Sequence, residues 1–536
     1  MPFISRFNGY PSDAALTAIE GVKIVEITPP GSINGLGSGT VALVGEFLKS
    51  GSYTSGVVTS NVNVPTEVFS SGDILSQFGM WSSLTNPGGA FPAGLAPSAW
   101  DGNGFLAFRG KQYARLILVN VAQAVGTCTV TVAHATLTPE FTIPAGAKVQ
   151  NAAGADIFAL TKDINVKAAD YLGSGPYTAT YLLQPMRRVL GSALTPTADS
   201  FVVADAAAIA PSGVTLDCTL FSTVTDWTQA ICESAYSNAL DTLLNDSKPA
   251  NEVSIVFSAR HTEVIMGYLL NHATAAAAKG RGRIALVSPP TGTAKATAEG
   301  ATTVGVGHTT VSRTDRVIYA YPGVQVMIPE IPTATVSAAR PALQDWPFDA
   351  SYAAVLSNLA EEQNPGVKND WLGHVVGIES GVTGLVRADY EAFKRLGISA
   401  PRIDAVNGCV IQSGVVSVDP AAYPALKNVA RRRMTDKITD DIAAALAGFD
   451  KALSTPTNRR AVGSLIRGYL EGLLSEDNPA KQRIAAYMVD EVSGNTPAAL
   501  AQGIFVVIIQ VQTLSSMDYI VLQAQIGETV TIIEQV

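Results

Sequence analysis

"GVKIVEITPPGSINGLGSGTVALVG", from Gly21 to Gly45, holds a short alternating run, a double-proline break, three glycines at alternate positions and an apolar β-branched run. Val22 and Ile24, with Glu26 beyond them, share one side of a period-two pattern, which predicts a strand reaching Ile27. Pro29 and Pro30 cannot donate ladder hydrogen bonds, so the strand stops there. Two readings compete for Gly35, Gly37 and Gly39. A phosphate-gripping loop needs a tight glycine turn followed by a helix N-terminus. Here "TVALVGEF" follows, which is strand-like, and the region has no G-x-x-x-x-G-K-[ST] pattern. The glycines therefore read as a flexible linker entering a core strand.

Outward from that strand, "YARLILVNVAQ" from Tyr113 predicts a second core strand, and "PTEVFSSGDILSQFG" a turn and short helix with Ile74, Leu75 and Phe78 on its apolar side. From about 122 to 200 the chain becomes a series of short Val/Thr-rich strands, such as "TCTVTVAHATL" and "YTATYLLQP". Helical spacing returns in "TDWTQAICESAYSNALDTLLND", with Trp227, Ile231, Ala235 and Leu240 near one side. "EVSIVFSA", "TEVIMGYLLNHATAAAAKG" and "GRIALVSPP" follow as strand, helix and strand, an α/β alternation. "TDRVIYAYPGVQVMIPEI" adds two strands on either side of Gly323. Helices are expected over 350–361 and at "DYEAFKRLGI", then two long ones at "LKNVARRRMTDKITDDIAAALAGF" and "NRRAVGSLIRGYLEGLLSE". A final β block holds "GIFVVIIQVQ", "MDYIVLQAQI" and "ETVTIIEQV".

The expected fold class is an α/β (α+β) discontinuous core domain with an inserted β-rich domain and extended terminal arms. Expected boundaries are an N-terminal arm over 1–40, core over 41–120, β-rich insertion over 121–200, an α/β middle domain over 201–350, core again over 351–515, and a C-terminal strand and arm over 516–536.

With 536 residues, 47% of them hydrophobic, the chain can bury several domain cores. Only 15% are charged, below the usual quarter, which suits a surface largely covered by partners. Net charge is −9 and the longest basic run is Arg431–Arg433, whose members point different ways on a helix. Direct nucleic-acid binding is not expected. "MPFISRFNGYPSD" lacks the pattern of a signal peptide, and "GIFVVIIQVQ" is too short to cross a bilayer as a helix. Cys128, Cys218, Cys232 and Cys409 are scattered, with neither zinc spacing nor a disulfide framework. A soluble product of a reducing cytoplasm, without membrane insertion, is expected.

Signals for chemistry are weak throughout. His134, His261, His272, His308 and His374 show no paired ligand spacing, so no metal is expected. Ser380 in "IESGVTG" lacks the G-x-S-x-G elbow. Asp315 beside Arg316, and Asp345, Trp346 and Asp349, are read as caps and solvated faces rather than acid–base pairs. No catalytic residue, cofactor or metal is expected.

The chain's extremities carry more information. A lone strand at Val22–Ile27 needs a sheet to join, and "TVTIIEQV" offers another alternating strand at Thr529–Val536. Free β edges attract strands, either from the same chain or lent by another.

The opening stretch resembles the contractile-tail sheath proteins of phages and related injection machines. Gly21, Val22 and Glu26 match that family's first strand; Pro29, Pro30 and Gly31 match its break; Ile33 and Gly35 its turn; Thr40, Val41, Ala42, Val44 and Gly45 its next strand. Glu20 stands where the family has proline, and Lys23 where it has an aromatic. Later, Asn428, Val429, Arg431, Arg432 and Met434 resemble its Asn-Val-Arg-Arg-Leu helix, with Tyr423 in place of a tryptophan and "GVVSVDP" preceding it.

The resemblance implies a non-enzymatic subunit of stacked hexameric rings around a tail tube, contracting to drive the tube through a host envelope. It implies a homo-oligomer with tail tube, baseplate and tail terminator proteins as partners, located in the contractile tail of a virion after assembly in the bacterial cytoplasm. Inter-subunit strand candidates are then Val22, Ile24, Glu26, Ile27, Val530, Ile532 and Val536. Gly31, Gly35, Gly37 and Gly39 would be hinges, and Arg431, Lys437, Arg459 and Arg467 polar interface residues. Another self-assembling tail, baseplate or secretion-sheath component, or an α/β enzyme with a binding domain, are the alternatives.

Overall fold

The computed structural model describes residues 3–8, 21–26, 39–48, 51–54, 57–79, 115–123, 125–189, 201–204, 206–220, 227–245, 248–301, 314–326, 343–366, 372–382, 384–404, 408–418, 426–449, 452–475 and 481–515. The first strands are β1 (Phe3–Asn8), β2 (Gly21–Glu26), β3 (Val41–Gly45), β4 (Gly51–Thr54), β5 (Val57–Ser60), β6 (Thr66–Val68) and β7 (Leu116–Asn120). β1 and β2 pair in parallel from Phe3↔Gly21 to Asn8↔Glu26. β4 and β5 form a hairpin. The predicted amphipathic turn lies at residues 71–78, with Ile74 and Phe78 fully buried.

After β7 the chain enters an inserted module: β8 (Val125–His134), β9 (Phe141–Ile143), β10 (Lys148–Asn151), β11 (Asp156–Leu160), β12 (Ile164–Val166), β13 (Tyr177–Arg188), β14 (Phe201–Val203) and β15 (Val214–Leu220). Six of these close a barrel in the order β10-β11-β13-β8-β15-β14, while β9 and β12 pair with each other. Along β8 the inward side chains Cys128, Val130 and Val132 are buried and their neighbours half-buried, the alternation a one-sided sheet requires. The barrel takes β14 and β15 from beyond residue 200, further along the chain than the run of Val/Thr strands suggested.

The chain then returns to the core through α1 (Gln229–Thr242), β16 (Ile255–Ser258), α2 (Glu263–Ala278), β17 (Ile284–Val287), β18 (Val317–Ala320), β19 (Val324–Val326), β20 (Gln344–Trp346), α3 (Asp349–Asn358), β21 (Val375–Ile378), α4 (Arg387–Leu396) and β22 (Ile398–Ser399). The main sheet runs β22-β18-β17-β16-β3-β7-β6, parallel throughout except for the edge strand β6. Strands from both sides of the barrel therefore share one sheet, and the core is discontinuous as expected.

Alternate side chains divide this sheet into two cores. Val41, Leu43, Leu116, Leu118, Ile255 and Phe257 face α3, whose ten residues are all buried. Ala42, Val44, Ile117, Val119 and Val256 face α1, α2 and Phe393 of α4. Such strands read as continuous apolar runs because both faces are covered. On α1 the buried set is Cys232, Ala235, Tyr236, Ala239 and Leu240. Ile231 is 47% exposed, contrary to its expected place in the apolar sector, because the packed face is centred one step of about 100° further round the helix.

The last part holds β23 (Pro401–Asp404), β24 (Gly408–Ile411), α5 (Val429–Leu446), α6 (Pro456–Leu474), β25 (Ile484–Asp490) and β26 (Ile508–Thr513). Met434, Ile438 and Ile442 of α5 join Ile466, Leu470 and Leu473 of α6 and Ile484 in a separate small core. Thr455 caps α6, its side chain accepting from the Asn458 N–H, with Pro456 at the first helical position.

Candidate functional site

In a parallel α/β sheet the usual ligand crevice lies at the carboxyl ends of the strands where the winding direction reverses. Here β3 leads outward to β7, while β16, β17 and β18 step the other way, so the reversal lies between β3 and β16. Glu46 follows β3 and Arg260 lies just beyond β16. The Glu46 carboxylate accepts from Arg260 Nε and Nη2, the latter at 3.0 Å, and from Cys232 Sγ at 3.3 Å. Burial acts to raise the Glu46 carboxyl, but Arg260, Arg187 and the Cys232 thiol together outweigh it and hold it below the usual carboxylate range. Arg187, on the barrel strand β13, donates through Nη1 to the Phe47 carbonyl at 2.7 Å. Burial pushes its guanidinium down to about 10, with Glu46 opposing. Glu46 and Arg187 are buried there, and the Arg260 side chain nearly so. No motif marks these three residues; their partners lie 140 and 214 positions away.

The polar clusters singled out in the sequence are also spent within the fold. Asp315 accepts from Arg432 at 2.9 Å, and Arg316 donates to Asp436 at 3.2 Å. Asp345 accepts from the Ser380 backbone N–H at 3.0 Å and from its hydroxyl. His261 Nε2 lies 2.8 Å from Asp349, and His374 Nε2 3.1 Å from Ser351 Oγ. His134 Nδ1 accepts from the Thr136 and Leu137 N–H groups, and His272 is pushed down to about 3 by burial and by Arg283. His308 lies outside the described residues. Among the described residues no cluster of three or more His, Cys, Asp or Glu could hold a metal ion, and all four cysteines are free and buried.

The arms and the C-terminal layer offer a different kind of site, built of strand edges. Val22, Ile24 and Glu26 lie on β2, which pairs with β1. Ile27, Gly31, Gly35, Gly37, Val530, Ile532 and Val536 lie outside the described residues. At Gly39 a Cβ would stand 3.2 Å from the Ser357 carbonyl, so this glycine lets the incoming chain pass close to the end of α3.

β25 and β26 pair antiparallel, and among the described residues each pairs only with the other. Val489, Ile509 and Val511 pack toward α5 and α6, whereas Met488 and Ile508, on the opposite face, are 50% and 38% exposed. Sequence reading missed β25, because its half-buried run "IAAYMVD" is alanine-rich and lacks the β-branched series that marks the other strands.

The basic triplet on α5 behaves as its helical spacing requires. Arg431 donates to Thr513 Oγ1 at 3.1 Å, Arg432 to Asp315, and Arg433 to the Leu356 and Leu359 carbonyls. Among the other polar candidates, Lys437 pairs with Asp441 at 3.1 Å, Arg467 with Glu491 at 2.7 Å, and Arg459 donates to the Ser454 carbonyl at 2.7 Å. All four expected interface cations therefore have contacts within their own chain.

No family model matches the chain, and no curated protein matches it. Solved structures do. The helical sheath of the anti-feeding prophage in its contracted state covers 93% of this chain and 96% of its own, with TM-score 0.51 and 13% identity. A sheath tail protein from Desulfitobacterium hafniense covers 90% of this chain and 98% of its own, with TM-score 0.47 and 12% identity. A sheath tail protein from Listeria innocua covers 89% and 95%, with TM-score 0.42 and 12% identity. The first of these likenesses extends over nearly the whole of both chains and is a likeness of fold.

Proposed function

Taking the fold of a contractile-sheath subunit as the premise, we propose that this chain is the structural subunit of such a sheath. It polymerises as stacked hexameric rings around a tail tube and contracts to drive the tube through a host envelope. The supporting observation is the end-to-end correspondence with a sheath protein, 93% of one chain against 96% of the other. The crevice between β3 and β16 supports the same reading, since a ligand there would have to displace a buried ion pair.

The linking chemistry is backbone pairing. A two-stranded sheet alone is marginal in water, and its open edges accept further strands. The β25–β26 hairpin is such an acceptor, and the segments Val22–Ile27 and Thr529–Val536 of neighbouring copies are the donors. Ladder hydrogen bonds then survive while subunits rotate about the glycine-rich segment at 31–39. The tube, the baseplate and the terminator are the partners, the assembly forms in the bacterial cytoplasm, and the extended array stores the free energy released on shortening.

Negative-stain microscopy of the purified protein tests this reading: long hollow cylinders are expected. Truncation before Gly31 or after Gly527 should abolish ordered polymer while the monomer still folds. Cylinders that form equally well from both truncated chains would reject the strands as links, and monodisperse monomers with substrate turnover would reject the sheath.

A further inference from the structure

The barrel is inserted in the core by two covalent connections, and it also meets the core non-covalently at the segment after β3. We propose that the crevice between β3 and β16, the place where an α/β sheet usually receives a ligand, is here the socket that fixes the inserted barrel to the core. Arg187 is its key, and the segment Glu46–Leu48 its lock.

Four contacts meet at this segment. Arg187 is 1% exposed and reaches from β13 of the barrel to the Phe47 carbonyl. Leu48 is buried in an apolar cluster with Ala159, on the barrel strand β11, and Val189, which directly follows β13. On the core side, Asn120 Oδ1 accepts from the Phe47 N–H at 3.2 Å and Gln123 Nε2 donates to the Phe47 carbonyl at 3.0 Å. The segment is thus held from both sides through its main chain as well as its side chains.

Electrostatics explains why an arginine can be buried here. A guanidinium removed from water needs a compensating charge and acceptors. Glu46 supplies the charge, shared with Arg260, and the Phe47 carbonyl the acceptor. Were the barrel to swing away, Arg187 would regain water, but Leu48, Ala159 and Val189 would be exposed together. Polar and apolar contacts therefore break at once, which favours one fixed orientation over a loose tether. This goes beyond the sheath reading and holds for an isolated monomer.

Distance measurement between spin labels tests it. Ala169, exposed on the barrel, and Ala278, exposed at the end of α2, are each replaced by Cys in the full chain; the native cysteines are buried. Labelled protein is diluted with unlabelled protein, so that intramolecular pairs dominate. A single narrow distance is expected in this parent. Arg187→Met combined with Leu48→Ala should lose the narrow distance while circular dichroism of the folded core persists, and Arg187→Lys, which keeps a donor, should retain it. A broad distribution in the parent overturns the proposal, as does a narrow one that survives in the combined variant. Should the combined variant fail to fold, Leu48→Ala alone is read in the same way, and an unchanged narrow distance there overturns the socket.

Discussion

Arg433 donates to the carbonyl of Leu356 at 3.0 Å, across 77 positions of sequence. It donates at 3.2 Å to Leu359 as well, so one buried cation serves two carbonyls at the end of α3, that of Leu356 also accepting from the Leu359 N–H. Burial pushes its guanidinium down, with Glu361 opposing. The core helix and the C-terminal layer are joined by this contact. Arg433→Met should lower the unfolding free energy by about 2–4 kcal/mol, because it leaves the carbonyls buried without that donor. Arg433→Lys should recover part of the loss. Urea unfolding of the monomer measures both; an unchanged midpoint for the methionine variant contradicts this account.

Asp440 gives the same seam a pH dependence. Its carboxylate accepts from the Gly282 N–H at 2.9 and 3.1 Å, yet burial pushes its pKa up to about 6, with Asp436 and Asp441 adding to the effect. A carboxyl that holds its proton more tightly folded than unfolded favours the native state at low pH. That stability is lost as pH rises from the ordinary carboxylate range through about 6. Asp440→Asn keeps an acceptor for Gly282 and removes the titration. The difference in stability between variant and parent should therefore grow in the variant's favour from pH 4 to pH 7, which thermal melts across that range will show or refute.

Gly397 ends α4 at φ 76°, and a Cβ there would approach the Val416 and Val418 carbonyls to 2.8 Å. Gly397→Ala combines left-handed strain with collision against backbone, and should cost about 1–3 kcal/mol. Gly280, also at positive φ, has nothing within 4 Å of such an atom, and Gly280→Ala should cost less. Equal losses in denaturant titration would show that the close carbonyls simply move aside.

The outer face of the hairpin separates assembly from folding. Met488→Lys with Ile508→Lys changes two side chains already open to solvent, so the monomer's melting temperature should hardly move. If donor strands from other copies extend this hairpin at its edges, their side chains continue this face beside Met488 and Ile508, and polymer should weaken or disappear in sedimentation and electron micrographs. Normal cylinders from the double variant would place the acceptor elsewhere.

Much of the core was legible because its physics is local. "VALVG", "LILVN", "IVFS" and "IALV" are near-continuous apolar runs, broken by a polar side chain only at Asn120 and Ser258, the mark of strands covered on both faces, and each is a core strand. Thr228 and Gly397 bound α1 and α4 by their own chemistry. What escaped depends on partners far along the chain. Barrel closure needs β15 to pair with β8 across some eighty residues, and nothing within "VTLDCTL" names its neighbour. Nothing local marks Glu46; its place is set by Arg260 and Arg187, which come from far along the chain. The basic triplet was read correctly as three separate directions, but its three destinations were not in the local pattern.

β3 lies inside the sheet, paired with β16 over four residues and with β7 over five, both in parallel. Gly39 and Thr40 lead straight into it. A pull directed along β3 would load both ladders in shear, so that many hydrogen bonds resist together instead of yielding one after another as at a peeled edge. If the preceding segment is pulled, the strand that takes the load is one held by two ladders at once.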